Sequence, residues 1–202
     1  MDVELAFKIA FIVTFAVTFI VAARTGRQAV ARHGGSVNQL ANELRGLVFV
    51  RAALGILFYG ALICWLFNLH WLAWMRLPLP LALRWVATLL LLPALGFFAW
   101  AFNSLGANYR GGVGLHKEHQ LVTTGAYGFV RHPIYLGFIT LMTLCLMVSA
   151  NWALGVSGIL LVTSIAVARI PVEERELSAR FGKAWSTYAA RTGRLLPWRT
   201  SR

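Results

Sequence analysis

Acidic residues are scarce in this sequence of 202 residues, which contains 7 Asp and Glu against 19 Lys and Arg. Charged residues of both signs make up 13% of the chain and hydrophobic residues 58%, whereas about a quarter of a soluble domain is charged. This composition excludes an ordinary soluble domain. It predicts a single integral membrane domain over residues 1–202, with three helices in 1–102 and a loop, a helical hairpin and a cytoplasmic segment in 103–202.

Cysteine is almost absent from the chain. Only Cys64 and Cys145 are present, and both lie in apolar runs. Two isolated thiols support neither a disulfide framework nor a metal site. We therefore expect no bound metal, and we interpret both thiols as buried side chains.

Long apolar runs are abundant, and they divide the chain into five candidate membrane helices. A helix needs about 20 residues to cross a ~30 Å hydrocarbon core. The five runs are Leu5–Ala23, Leu47–Phe67, Leu81–Phe102, Ile134–Ala150 and Trp152–Ala168. A single residue separates the last two, which predicts a tight hairpin whose helices do not both have to span fully. The predicted fold is an all-α membrane protein with about five transmembrane helices.

The basic residues predict how the chain is oriented in the membrane. All but three of the 19 Lys and Arg lie at the connection between helices one and two, between helices three and four, or after helix five. Basic connections stay in the cytoplasm, so five spans place the N-terminus outside and the C-terminus inside. Asp2 and Glu4 stand where a signal peptide would be positive, so we expect the first helix to be retained. Attraction to anionic membrane lipids explains the net charge of +12, without a nucleic-acid partner.

A polar stretch from His119 to Gly137 directly precedes the fourth apolar run. Charged groups near a membrane core usually face a cavity or water. Pro133 suits the first position of a helix, and the positive end of that helix would lie beside Arg131 and His132 and attract a carboxylate or phosphate. The stretch therefore predicts a binding site, although Arg131 and His132 also suit the role of lipid-headgroup anchors.

A second polar group follows the fifth apolar run, where three of the seven acids fall within Glu173–Glu176. Arg169 and Glu173 are four residues apart and would share a helix face, and Pro171 would kink the exit of the fifth helix. A solvated helix start with internal ion pairs is the alternative interpretation of these acids. Beyond them, apolar residues at helical spacing predict a cytoplasmic amphipathic helix. They are Leu177, Phe181, Ala184, Trp185 and Tyr188.

Both polar groups contain motifs that resemble the isoprenylcysteine carboxyl methyltransferase family. The first is His119-x-Leu-Val-Thr-x-Gly-x-Tyr127-x-x-x-Arg131-His132-Pro133-x-Tyr135-x-Gly137, and the second is Arg169-x-x-x-Glu173-Glu174, followed by Leu177 and by Phe181-Gly182-x-x-Trp185-x-x-Tyr188. The family consists of integral membrane enzymes that transfer a methyl group from S-adenosyl-L-methionine. The resemblance implies this cofactor and a lipophilic acceptor at the cytoplasmic face, namely a small molecule, a lipid or a prenylcysteine-type carboxylate.

The resemblance also implies roles for individual residues. The cofactor-binding residues would be His119, Gln120, Leu121, Val122, Tyr127, His132, Pro133, Ile134, Tyr135 and Glu173. Arg169 would bind the acceptor substrate, and Arg169 and Glu173 would be the catalytic residues. An amine or thiol acceptor would need a proton acceptor, for which Glu173 or Glu174 is the nearest candidate.

Two other functions remain open at this stage. The Arg131-His132-Pro133-x-Tyr135 run is similar to that of membrane sterol reductases, which use a nicotinamide cofactor, but those enzymes typically have asparagine where this chain has Ile134. The second alternative is a non-catalytic membrane protein that has kept the fold. Retention of both motifs favours an enzyme.

Overall fold

The computed structural model describes residues 2–33, 45–108 and 120–197. Helices account for most of these residues, and β-structure among them is confined to two isolated bridges, Arg76–Asn151 and Val130–Gly193. The helices are α1 (Val3–His33), α2 (Arg45–Leu66), α3 (Leu81–Leu105), α4 (Pro133–Ser149), α5 (Trp152–Phe181) and α6 (Lys183–Arg191). Short 3-10 turns are formed by His70–Met75, Gly106–Asn108 and Gly125–Gly128.

Four helical segments in the described part of the chain are long and apolar enough to cross a membrane. They are Val3–Gln28, Val48–Leu66, Leu81–Leu105 and Trp152–Phe181. α4 is also apolar but has 17 residues, which corresponds to about 26 Å of helix. The all-α membrane architecture is therefore confirmed, while the count of five spans stays a prediction because α4 is short.

α4 and α5 form the tight hairpin that the sequence predicted. Ala150 turns the chain with a positive φ of 47°. Asn151 then caps α5, since its Oδ1 accepts a hydrogen bond of 3.0 Å from the amide of Leu154, which satisfies a donor that the helix start leaves open. A Cβ at Gly155 would lie 2.3 Å from Cδ1 of Leu146, so the absence of a side chain there lets the two helices approach closely.

Two helices are longer than their apolar runs. α1 continues past Ala23 to His33, and α5 continues from Ala168 through Pro171 to Phe181. Hydropathy detects only the part of a helix that is apolar, so it misses polar turns that extend past the membrane core. α5 continues through Pro171, at which the sequence predicts a kink, and the acidic turns that follow the proline are held by side-chain contacts with the start of α4.

The predicted amphipathic stripe belongs to two helices. Leu177 and Phe181 lie in α5, and Gly182 ends that helix with a positive φ of 50°. α6 then carries Trp185 and Tyr188, which are both buried. The predicted C-terminal amphipathic helix is thus confirmed for α6. The apolar stripe is divided between two helices because Gly182 ends α5.

α3 and α4 form the centre of the bundle. α3 packs against α1 and α4, and α5 packs against α2 and α4. The largest fully buried side chains include Phe7, Phe11, Phe98, Phe102 and Leu141. This packing fixes the start of α4 next to the C-terminal part of α5, where the polar residues of both motifs meet.

Candidate active site

The first turn of α4 is the centre of the polar site. Pro133 occupies the first helical position and is buried, and His132 directly precedes it. Proline suits this position because its missing N–H would have no partner inside the helix. The start of α4 attracts negative charge, and the groups that lie beside it are two neighbouring carboxylates of α5.

His132 lies between these two carboxylates. Its Nδ1 is 3.5 Å from Oε2 of Glu173, and its Nε2 is 3.2 Å from Oε1 of Glu174. The imidazole is only 5% exposed, and burial by itself lowers the pKa of His132. The hydrogen bonds and charges of Glu173 and Glu174 outweigh burial, so the pKa is raised above its ordinary 6.5. The site therefore favours an imidazolium held between two carboxylates.

Both carboxylate oxygens of Glu174 accept hydrogen bonds. Oε1 accepts hydrogen bonds from Nε of Arg131 at 3.0 Å and from His132, and Oε2 accepts from Nε of Arg194 at 3.0 Å. Nη2 of Arg194 is also 2.8 Å from Oε2. With a side chain that is 12% exposed, Glu174 serves as an internal anchor for three cationic groups.

Glu173 is the more open of the two acids, with a side chain that is 30% exposed. The hydroxyl of Tyr135 donates a hydrogen bond of 2.7 Å to its Oε1. The same hydroxyl also interacts with Arg169, which lies one helical turn before Glu173 on α5. Tyr135 thus links the two residues that the sequence predicted to be catalytic.

The loop before α4 carries further described residues that the sequence assigned to the cofactor. Leu121 and Val122 are half-buried, whereas Gln120 is exposed and its amide donates to Oδ1 of Asn108 at 2.9 Å. Tyr127 is half-buried in the turn Gly125–Gly128, and its carbonyl accepts a 2.7 Å hydrogen bond from the hydroxyl of Tyr188. α6 therefore holds this turn in place.

The segment after α6 covers the start of α4. The carbonyls of Gly193 and Arg194 accept hydrogen bonds from the amides of Arg131 at 2.8 Å and His132 at 3.0 Å. Nη1 of Arg131 donates to the carbonyls of Ala189 at 2.6 Å and Thr192 at 2.9 Å. Two residues of the first motif are thus fixed by backbone groups from the end of the chain.

The structure brings together a minority of the eleven site residues that the sequence singled out. His132, Tyr135 and Glu173 are in contact, and Arg169 lies one helical turn from Glu173. Pro133 is buried at the start of α4, Ile134 packs toward the hydrophobic core, and Leu121, Val122 and Tyr127 lie on the preceding loop. His119 is outside the described residues. In the described part of the chain, no three His, Cys, Asp or Glu side chains are grouped so as to hold a metal ion.

Sequence reasoning gave too small a role to Arg131, Glu174 and Arg194. The sequence leaves Arg131 either beside a bound anion or at lipid headgroups, and Glu174 either as a proton acceptor or in a solvated helix start. Glu174 in fact pairs with both Arg131 and Arg194, and Arg194 lies in a strand-like contact with the start of α4 that joins residues more than 60 positions apart. Local spacing carries no signal for such a contact; the adjacent acids of the second motif were the only available indication.

The fold and the polar site define a helical membrane protein with an ionised, partly open site at one end of its bundle. Residues 85–179 match the model of the isoprenylcysteine carboxyl methyltransferase (ICMT) family. This match spans α3, α4 and almost all of α5, which carry Tyr135, Arg169 and Glu173. The match covers just under half of the chain and confirms the resemblance to this family that the two motifs indicated.

Individual relatives support the same family. A methanethiol S-methyltransferase from Bradyrhizobium diazoefficiens is 44% identical over 81 residues, which are 37% of this chain and 25% of the relative. A protein-S-isoprenylcysteine O-methyltransferase from Arabidopsis thaliana is 34% identical over 87 residues, which are 41% of this chain and 42% of the relative. A 7-dehydrocholesterol reductase from Danio rerio is 32% identical over 92 residues, 45% of this chain and 19% of the reductase. The matched segments thus span less than half of each of these relatives.

Proposed function

We propose that this protein is a membrane methyltransferase that uses S-adenosyl-L-methionine and methylates a lipophilic acceptor. The observation that carries the proposal is the 2.7 Å hydrogen bond from the hydroxyl of Tyr135 to Glu173, one helical turn from Arg169. It places the start of α4 against the proposed cofactor-binding acid and beside the proposed acceptor-binding cation, inside the segment that matches the methyltransferase family.

The residues around this contact fit the cofactor chemically. S-adenosyl-L-methionine has an ammonium, a carboxylate, a sulfonium cation and an adenine ring. Glu173 is a partly open carboxylate that suits a cationic group, and the start of α4 suits an anionic one. Leu121 and Val122 offer half-buried apolar surface for an aromatic ring, and His119 and Gln120 would complete this wall. When bound, the cofactor supplies an activated methyl group.

In the proposed reaction, the protein mainly positions the acceptor and excludes water. A carboxylate acceptor is already ionised and needs no base, and the planar guanidinium of Arg169 suits it with two parallel hydrogen bonds. A thiol or amine acceptor must lose a proton, and Glu173 is the carboxylate nearest to Arg169 that is open enough to accept it. One of the relatives is named as a methanethiol methyltransferase and another as an isoprenylcysteine methyltransferase.

We place the site at the cytoplasmic face, with the N-terminus of the chain outside. The support is the concentration of basic residues at the end of the bundle that carries the start of α4 and the end of α5. A lipophilic acceptor then reaches the site laterally from the membrane while its polar head meets Arg169. A reporter that is active only in the cytoplasm, fused after Arg202, tests this orientation; an inactive fusion contradicts it.

A thermal-shift assay on detergent-purified protein tests the cofactor. S-adenosylhomocysteine at 100 times its dissociation constant adds about 2.7 kcal/mol to the stability of a protein that binds it. We expect this ligand to stabilise the protein and NADPH not to. Transfer of a tritiated methyl group into prenylcysteine analogues, thiols and lipid extracts then identifies the acceptor class. A protein that S-adenosylhomocysteine does not stabilise contradicts the proposal.

The second candidate is an NADPH-dependent membrane reductase. It is favoured by the run Arg131-His132-Pro133-x-Tyr135 and by the reductase relative. Ile134 disfavours it, since its apolar side chain packs toward the core and offers no hydrogen bond. In the same thermal-shift assay, stabilisation by NADPH alone would establish the reductase instead.

A further inference from the structure

Arg194 contacts the environment of His132 in two independent ways. Its backbone carbonyl accepts a 3.0 Å hydrogen bond from the amide of His132. Its guanidinium holds Oε2 of Glu174 with Nε at 3.0 Å and Nη2 at 2.8 Å. The other oxygen of the same carboxylate contacts Nε2 of His132. A residue that lies beyond the family-matched segment thus reaches both the main chain and the ring of His132.

This ion pair differs from an ordinary surface pair. Pairs between two exposed side chains contribute little, because water screens them and both side chains lose freedom. Here the side chain of Arg194 is 61% exposed, but Glu174 is only 12% exposed and is shared with two further cations. Both nitrogens of Arg194 hold Oε2, while Arg131 and His132 contact Oε1, so the arginine on one oxygen helps to keep the other oxygen directed at the imidazole.

We propose that Arg194 is a positioning residue for His132 and, through it, for the methyl-donor site. It acts by orienting Glu174 and by holding the main chain at the start of α4. The assignment of the site to a methyl donor rests on the proposed function, whereas the effect of Arg194 on His132 does not. Arg194 itself contacts neither ligand nor reacting atoms in this proposal.

The charges around His132 determine the expected response to a substitution. Glu173 and Glu174 face its ring from α5, Tyr135 from α4, and the guanidinium groups of Arg131 and Arg194 share Glu174 with it. Arg194→Ala takes away a nearby cation, which raises the pKa of His132, and also frees Glu174, which lowers it. Arg194→Lys keeps the cation but loses the contact of two nitrogens, so Glu174 is held less well against the imidazole and the pKa of His132 falls.

Three variants separate this role from a general loss of charge. Arg194→Ala removes the side-chain contact with Glu174, Arg194→Lys keeps the charge without the planar fork, and Arg191→Ala removes an exposed arginine from the end of α6. In full-length protein, we expect Arg194→Ala to weaken binding of S-adenosylhomocysteine roughly fivefold, Arg194→Lys to restore part of it, and Arg191→Ala to match the parent. Equal affinity of the two alanine variants for S-adenosylhomocysteine would overturn the proposal.

The pH titration of His132 tests the proposal without any ligand. It is followed by NMR on protein with selectively labelled histidine, and the signal of His132 is assigned from its loss in His132→Gln. The midpoint should fall in Arg194→Lys, which keeps the charge, and stay in place in Arg191→Ala. No change or a rise in Arg194→Lys overturns the inference. If the parent protein binds no S-adenosylhomocysteine but the midpoint falls in Arg194→Lys, the proposed function fails while the role of Arg194 for His132 stands.

Discussion

The two ends of α4 meet two groups of charged residues that are built differently. Near its C-terminal end, the tip cluster consists of Glu4, Lys8 and Arg84. Arg84 binds Glu4 with both terminal nitrogens, donates from Nε to the carbonyl of Val148 at 3.1 Å, and lies 4.0 Å from the centre of the Phe7 ring. At the other end, roughly 25 Å away, the site cluster consists of Arg131, His132, Tyr135, Arg169, Glu173, Glu174 and Arg194.

In the tip cluster, both cations are buried and the acid is held by a guanidinium. Lys8 is buried, and its Nζ donates to the carbonyl of Leu66 and to Oδ1 of Asn68, both at 2.8 Å. Charges in a membrane bundle are costly unless they are matched in this way. The side chain of Glu4 is 46% exposed, but both of its oxygens are bound by Arg84. In the site cluster, Glu174 is bound by arginines in the same manner, whereas Glu173 contacts the neutral hydroxyl of Tyr135 and the ring of His132. The two clusters therefore differ in the partners of their acids, and we expect Glu173 to be the acid that a cationic ligand can reach.

The largest effect that we expect is on turnover in the site cluster. Arg169→Ala removes the cation that orients the acceptor, and misplacement of a reacting group by about 1 Å can cost 100-fold in rate. We therefore expect methyl transfer to fall about 100-fold while affinity for S-adenosylhomocysteine changes little. Arg175→Ala, an exposed arginine on the same helix, is the matched control. Parent-like turnover in Arg169→Ala would show that this residue does not bind the acceptor.

The two adjacent acids provide the sharpest comparison within the site. Glu173→Gln removes a charge that is open to a ligand, and hydrogen bonds to charged groups contribute about 1.5–3 kcal/mol. We expect affinity for S-adenosylhomocysteine to fall roughly 10- to 100-fold with the melting temperature preserved. Glu174→Gln should mainly lower the melting temperature, since it deprives Arg131, His132 and Arg194 of their shared partner, and its loss of affinity should be smaller, roughly fivefold as in Arg194→Ala. The assignment of roles is wrong if the two variants behave alike in calorimetry and thermal melting.

The tip cluster should respond only in stability. Arg84→Met removes the paired cation and the contact with Phe7 but keeps a long side chain, and we expect the free energy of unfolding to fall by about 2 kcal/mol. Glu4 is half-exposed and can regain water, which limits the loss. Arg76→Met, at an exposed arginine nearby, is the control. Turnover per folded molecule should equal that of the parent, and a selective loss of turnover would place the tip cluster in the reaction.

The sequence predicted the parts of the molecule that depend on local pattern. Hydropathy located all five apolar helices, and Pro133 correctly marked the start of α4. It did not predict that α5 continues as far as Phe181, because the contacts that support its last turns come from α4 and from beyond α6. For the same reason it grouped Arg169 with Glu173, which are one turn apart, but not Glu174 with Arg194. Ion pairs across distant segments depend on packing, which spacing in the sequence does not encode.

The smallest effect that we expect concerns pH, and it distinguishes the clusters because the tip cluster contains no histidine. The pKa of His132 is raised in the folded protein: burial lowers it, but Glu173 and Glu174 outweigh burial. A group with a raised pKa stabilises the fold fully below its unfolded pKa of about 6.5, and this contribution is lost as the pH rises through the folded value. The melting temperature should therefore decline slightly as the pH rises from 6.5.

Other groups titrate over the same pH range, so the decline in melting temperature is assigned to His132 by comparing variants. His132→Gln cannot be protonated at this position, so it should lose the part of the pH dependence that belongs to the imidazolium. Arg84→Met should be less stable than the parent at every pH but should keep the parent's slope above pH 6.5, because the tip cluster does not contact His132. Melting curves in detergent at several pH values measure all three proteins. The same slope in His132→Gln as in the parent would contradict an imidazolium held between Glu173 and Glu174.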